Sequence, residues 1–141
     1  MEKYKFINNH PEVVKLEISR KMAKKIDKIN KARSIRRKNR TRKKLVAISE
    51  NVRLSVFRSN KYFYAQVIDD KKATTLVSVS IKDVEEKGLN KTQLAEKMGE
   101  LLAQKAQAAK IKTVAFDKGS YRYHGRVKAF ADGARKGGLT F

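Results

Sequence analysis

The stretch VRLSVFRSNKYFYAQVIDDKKATTLVSVS, residues 52–80, decides the fold. Its apolar residues recur at every second position, the period of a pleated strand whose side chains point to alternate faces. VRLSVFR (52–58) sets Val52, Leu54 and Val56 on one face. Ser59-Asn60-Lys61 is a turn signal, and YFYAQVID (62–69) is a second strand. Phe63, Ala65 and Val67 share the face expected in the core, and Tyr62, Tyr64, Gln66 and Ile68 take the other. Asp70-Lys71-Lys72 makes the next turn, and TTLVSVS (74–80) the third strand. Strands joined by connections this short form an antiparallel meander.

C-terminal to the meander the period changes to that of a helix. Asn90 is a good N-cap with Gln93 three residues on, the spacing of a capping box. Leu94, Met98, Leu101, Leu102, Ala106 and Ala109 then form one apolar stripe that runs to the neighbourhood of Lys110. TVAF (113–116) is a short, apolar strand ending at Asp117. After a loop at Gly119, Val127, Phe130, Ala131 and Ala134 mark a last helix stopped by Gly137-Gly138. The order β-β-β-α-β-α, with a helix crossing between the third and fourth strands, implies a parallel pairing. The expected class is therefore α/β: a mixed sheet with helices packed on it, over a globular domain 49–141.

N-terminal to the meander no core can form. Residues 20–44, RKMAKKIDKINKARSIRRKNRTRKK, contain fourteen Lys or Arg and a single acid, Asp27. Like charges at this density require a polyanion. From Met22 to Ile48 there is no Pro or Gly, and Lys, Arg and Ala are good helix formers. Residues 22–48 are therefore expected as a basic arm, frayed when free and ordered on RNA as a helix or an extended segment. Its candidate phosphate contacts are Lys24, Lys25, Arg33, Arg36 and Arg37, then Lys38, Arg40, Arg42, Lys43 and Lys44. Residues 1–21 differ, mixing acids with bases and holding the only proline, Pro11. VVKLEIS (13–19) fits either a short strand or a helix begun at Pro11. Because Met22 would itself serve as a start, residues 1–21 are expected to be an extension that is dispensable or arises from an upstream start.

Composition narrows the partner. The 141 residues carry a formal net charge of +21 and no cysteine, which excludes disulfides, thiolate zinc sites and cysteine nucleophiles. No run approaches the roughly 18 apolar residues of a membrane span, and no signal peptide opens the chain, so a soluble, cytoplasmic protein is expected. A charge of this size leaves nucleic acid or an anionic membrane face. Membrane binding needs a broad apolar stripe with bulky anchors. Between Arg20 and Lys44 the apolar residues are only Met22, Ala23, Ile26, Ile29, Ala32 and Ile35, so nucleic acid is favoured.

The chemistry-bearing residues point the same way. His10 and His124 are too few for a usual metal site, and there is no phosphate-binding glycine loop or Ser-His-Asp pattern. Asp117 stands at a strand end, where active sites of α/β sheets lie, but no second carboxylate is spaced to join it, and capping a turn is the plainer role. No cofactor, metal or small-molecule substrate is expected. Binding candidates are richer. DKGSYRYHGRVKAF (117–130) sets Lys118, Tyr121, Arg122, Tyr123, His124, Arg126 and Lys128 around Gly119 and Gly125. Aromatics alternating with basic groups suit RNA, because rings stack on bases and Arg binds phosphate bidentately. One of Tyr121 and Tyr123 could equally be core, since alternate residues face opposite ways. A second face gathers Arg58, Asn60, Lys61, Tyr62 and Tyr64 round the hairpin turn, with Arg53 further back. Contact is expected there at the turn; the strand face is an aromatic platform or a half-covered sheet surface.

RLSVFRSNKYFYAQVIDD (53–70) followed by FDKGSYRYHGRVKAFADGARKGGLTF (116–141) closely resembles the family of the eighteenth protein of the bacterial large ribosomal subunit. The resemblance covers residues 22–141 and includes the basic arm; residues 1–21 lie outside it. It implies a mixed-sheet fold of ribonuclease H-like topology, and no catalysis, although fold alone does not carry activity. It implies 5S rRNA and 23S rRNA as partners, with neighbouring proteins of the central protuberance, in the 50S subunit. It also implies that residues 33–44, 58–64 and 121–126 face rRNA. The competing classes are a basic nucleic-acid module outside the ribosome and a metal nuclease centred on Asp117.

Overall fold

The computed structural model describes residues 11–48, 52–84 and 88–141. The first ten residues of the expected extension, His10 among them, lie outside the described residues, as does the expected domain boundary at 49. The chain divides into two compact units, Met1–Arg36 and Arg37–Phe141.

The first unit is the greater part of one helix, α1 (Pro11–Ile48). Pro11 stands at its start, where proline's fixed φ is pre-organised and its missing N–H costs nothing. Residues 13–19 are therefore helical rather than extended. The helix is 38 residues long, well past the roughly 12–15 at which isolated helices are marginal, and no Gly interrupts it. Val14, Ile18, Met22, Ile26 and Ile29 are all exposed along it, so propensity rather than packing accounts for this part of the helix.

The second unit holds the sheet. β1 (Arg53–Arg58), β2 (Phe63–Asp69) and β3 (Thr74–Ser80) form the expected antiparallel meander. β4 (Ala115–Asp117) pairs in parallel with β1, giving the order β3-β2-β1-β4. The crossover through α2 (Lys91–Ala108) thus carries the chain from one edge of the sheet to the other. The parallel partner of the fourth strand is the first strand, and pairing begins at Ala115 rather than Thr113. Thr113 instead makes an isolated bridge with Thr140. This mixed sheet is compatible with a ribonuclease H-like topology.

One face of the sheet makes the core. Leu54, Val56, Phe63, Ala65, Val67, Val77 and Val79 pack against Ala95, Met98 and Leu102 of α2 and Val127, Phe130 and Ala134 of α3 (Arg126–Lys136). The Asn90 capping box forms as the spacing predicts: its side chain accepts from the Thr92 and Gln93 amides, and the Gln93 side chain accepts from the Asn90 amide. α3 ends at the glycine pair, with Gly138 at φ +95°. The Leu139 amide donates back to the Ala134 carbonyl at 3.1 Å, and Leu139 is buried. α2 and α3 meet backbone to backbone, because Gly99 and Gly133 leave no side chain between them.

Candidate nucleic-acid interface

Lys24, Lys25, Arg33 and Arg36 lie in the first unit and are exposed. Arg37, Lys38, Arg40, Lys43 and Lys44 belong to the second unit and are exposed as well. Helical geometry spreads such closely spaced cations around the axis. Arg42 differs. It is half-buried, and its Nε donates to Asp117 Oδ2 at 3.3 Å.

The hairpin and the C-terminal loop, separate candidates in the sequence, form one surface in the fold. The turn is closed by the Ser59 amide donating to the Tyr62 carbonyl at 2.8 Å and by the Tyr62 amide donating to Ser59 Oγ at 2.8 Å. This sets Arg58, Asn60, Lys61 and Tyr62 outward and exposed. Two side chains of the loop then grip the turn. Arg126 Nη2 donates to the Ser59 carbonyl at 2.9 Å, and the Tyr121 hydroxyl accepts the Arg58 amide at 3.1 Å. The Arg58 guanidinium lies over the Tyr121 ring, 5.7 Å from its centroid. Burial, reinforced by the charge of Arg58, lowers the pKa of the Arg126 guanidinium below the usual arginine value. Neither 57–64 nor 118–128 contains an Asp or Glu. The surface therefore presents cations and rings with no acid from its own segments.

Within the loop the side chains divide. Tyr121 is half-buried against the core, which resolves the pair: Tyr121 is the structural ring and Tyr123 the outward one. The Tyr123 hydroxyl accepts from Arg135 Nη1 at 2.8 Å, and its ring meets Phe116 edge-on. Arg122 and His124 are exposed. Lys118 is half-buried, its Nζ donating to the Tyr121 carbonyl at 3.1 Å. Gly119, at φ +61°, takes a backbone conformation that side chains disfavour.

Two sequence candidates take other roles. Arg53 is nearly buried, at 8% exposure. Its Nε and Nη2 meet both oxygens of Asp70 at 2.8 and 2.7 Å, and Nη1 reaches Asp117 at 3.3 Å. Hydrogen bonding to Asp70, aided by that charge and Asp117's, outweighs desolvation and raises its pKa further, so Arg53 is an internal cation rather than a surface one. Tyr64 is exposed, but on the open sheet face, where its ring stacks on Phe57 at 4.7 Å. Sequence reasoning passed over Lys91, whose Nζ donates to the Asn60 carbonyl at 3.1 Å and so braces the same turn. Only the fold brings α2's first residue there.

The nuclease alternative meets a positive obstacle. Asp117 is fully buried, and its oxygens accept from Arg42, Arg53 and the Gly119 amide. A carboxylate so enclosed cannot reach a metal-bound substrate.

The family model of ribosomal L18 from archaea, bacteria, mitochondria and chloroplasts matches residues 15–141. The chain is similar to the large ribosomal subunit protein uL18 of Thermus thermophilus, at 57% identity over 106 residues, covering 75% of this chain and 93% of that protein. It is similar to the uL18 of Lactiplantibacillus plantarum at 52% identity over 120 residues, covering 85% of this chain and 100% of that one. Against the uL18 of Staphylococcus saprophyticus the identity is 48% over 122 residues, with the same coverage of both.

Proposed function

The chain belongs to the ribosomal L18 family, and from that premise we propose that it binds 5S rRNA and helps attach it to 23S rRNA in the central protuberance. Membership makes it a structural protein of the large ribosomal subunit and not an enzyme. The observation that carries the finer reading is the joining of the hairpin turn to the loop at Tyr121–Arg58 and Arg126–Ser59. That join builds a fixed patch in which Arg58, Tyr62, Arg122, Tyr123 and His124 are all exposed. A preformed patch of rings and cations can discriminate among folded RNAs, whereas a uniformly cationic helix only adds affinity. Neighbouring large-subunit proteins are the remaining partners in this reading.

The test is fluorescence anisotropy of the full chain with 5S rRNA and with an unrelated structured RNA of equal length, across a salt series. Tighter binding of 5S rRNA is expected. Affinity should fall by about 0.7–0.9 log units per log salt for each phosphate neutralised. Replacing Lys24, Lys25, Arg33 and Arg36 by Gln should flatten the slope by roughly 3 in all and leave the preference intact. A wild-type chain without preference for 5S rRNA overturns the reading.

A further inference from the structure

Asp117 is the last residue of β4, register-paired with Ser55 of β1, and fully buried. A buried carboxylate is retained only where donors compensate its lost hydration. Three do so from three directions. Arg42 Nε and Arg53 Nη1 both reach Oδ2 at 3.3 Å, and the Gly119 amide donates to Oδ1 at 2.8 Å. Arg53 is itself held by both oxygens of Asp70, which aims its Nη1 at Asp117.

Arg53 and the Gly119 amide would be enough to cap a turn. Arg42 makes the arrangement unusual, because it comes from the last turns of α1, where its neighbours are surface cations. Thr41 Oγ1 adds a second link: it donates to the Arg37 carbonyl at 3.1 Å and lies 3.4 Å from the Gly119 carbonyl. Residues 117 and 119 are thus tied to adjacent residues of α1, and the same segment runs directly into the loop that carries Tyr123 and His124.

We propose that Asp117 is a positioning residue for RNA recognition: it locks the loop and the last turns of α1 in one arrangement, so that both meet the same RNA. The inference rests on the RNA-binding reading above. Asp117 touches no RNA in this account and acts through Arg42 and Gly119.

Asp117→Asn keeps the volume and the acceptor for Gly119 but turns an amide N–H₂ toward two guanidinium groups, so Arg42 is released. The full-length variant is measured against 5S rRNA and the unrelated RNA, with circular dichroism melts alongside. The expected result is a cooperative melt above the assay temperature and a 5S preference reduced about tenfold or more. Binding to the unrelated RNA should hold or strengthen, its salt slope steeper by up to about 0.7–0.9, because Arg42 is freed for phosphate. Partial unfolding would instead weaken both RNAs together. Should Asp117→Asn fail to fold, Thr41→Val/Arg42→Gln decides, since it cuts the lock from the helix side while Arg53 and Gly119 still satisfy Asp117. Its 5S preference should fall by a similar factor. A folded variant with the wild-type preference, or with equal loss on both RNAs, overturns the lock and leaves 5S binding standing. A wild-type chain lacking the preference overturns both.

Discussion

Gly133→Ala sets two effects of opposite sign against each other, and the structure decides which wins. Within a helix Ala is favoured over Gly by about 1 kcal/mol, so propensity alone predicts a more stable protein. At position 133, however, an added Cβ would lie 2.9 Å from the Glu96 carbonyl carbon and nearer still to its oxygen. The reciprocal site is as tight: a Cβ on Gly99 would lie 2.7 Å from the Ala134 nitrogen. These are backbone atoms, which no rotamer change can move. The two helices would have to part by roughly 1 Å, loosening Met98, Leu102, Val127 and Phe130, all fully buried. Overpacking typically costs 1–3 kcal/mol, and rigid backbone neighbours place this case at the upper end, so the expected net loss is about 2–3 kcal/mol. For a unit of this size that lowers Tm by roughly 10–20 °C. Urea unfolding followed by circular dichroism should show a lower midpoint at unchanged slope, with exposed Lys128→Ala as a control within about 0.5 kcal/mol of wild type. A Gly133→Ala protein as stable as wild type, or more so, would show that α2 and α3 do not meet as described.

Three further outcomes are expected. Hydrogen bonding from Arg53 holds the Asp70 carboxyl below its ordinary pKa, so its contribution is complete above the unfolded value near 3.9 and is lost as pH falls through the lower folded value. Asp70→Asn should therefore flatten the fall in urea midpoint between about pH 5 and pH 3, and an unchanged fall would refute the pairing. Tyr121→Phe, which removes the acceptor for the Arg58 amide but keeps the ring, should cost about 1 kcal/mol of stability while sparing 5S preference at temperatures where the variant stays folded, because Arg126 and Lys91 still hold the turn through the Ser59 and Asn60 carbonyls. Tyr123→Ala should do the reverse, weakening 5S binding by about 1–3 kcal/mol of stacking, roughly 5- to 150-fold; wild-type affinity would remove Tyr123 from the interface.

The parts of the fold that were legible in the sequence are those fixed by local periodicity and local hydrogen bonding. The alternation from Val52 to Val79 names the buried face of the meander, and Leu54, Phe63, Ala65 and Val67 are all buried as it requires. The Asn90–Gln93 box and the Gly137-Gly138 stop were legible because a cap is made by residues within four positions of it. The end of α2 carries a weaker signal, since Lys110 rather than a glycine adopts φ +59° there. What was hidden depends on pairing between distant positions. The partner of β4 is β1, 62 residues earlier in the register Arg53↔Ala115, and three residues of pairing leave almost no periodic trace.

The same distinction explains why the arginines sort as they do. Arg53 and Arg58 bound one strand and look alike in sequence. Arg53 is an internal cation only because Asp70 and Asp117, 17 and 64 residues away, converge on it, whereas Arg58 sits at a turn that no carboxylate of its own or the adjoining loop segment reaches. Composition fixes how many cations the chain holds; only tertiary contacts decide which remain available to phosphate. Affinity and selectivity should therefore separate under mutation. Exposed cations of α1 act nearly independently, so their losses should add, each shifting the salt slope by a similar amount. Arg42 and Asp117 are the two halves of one contact, so their effects on selectivity should not add. A double variant such as Arg42→Gln/Asp117→Asn should lose little more preference than either change alone.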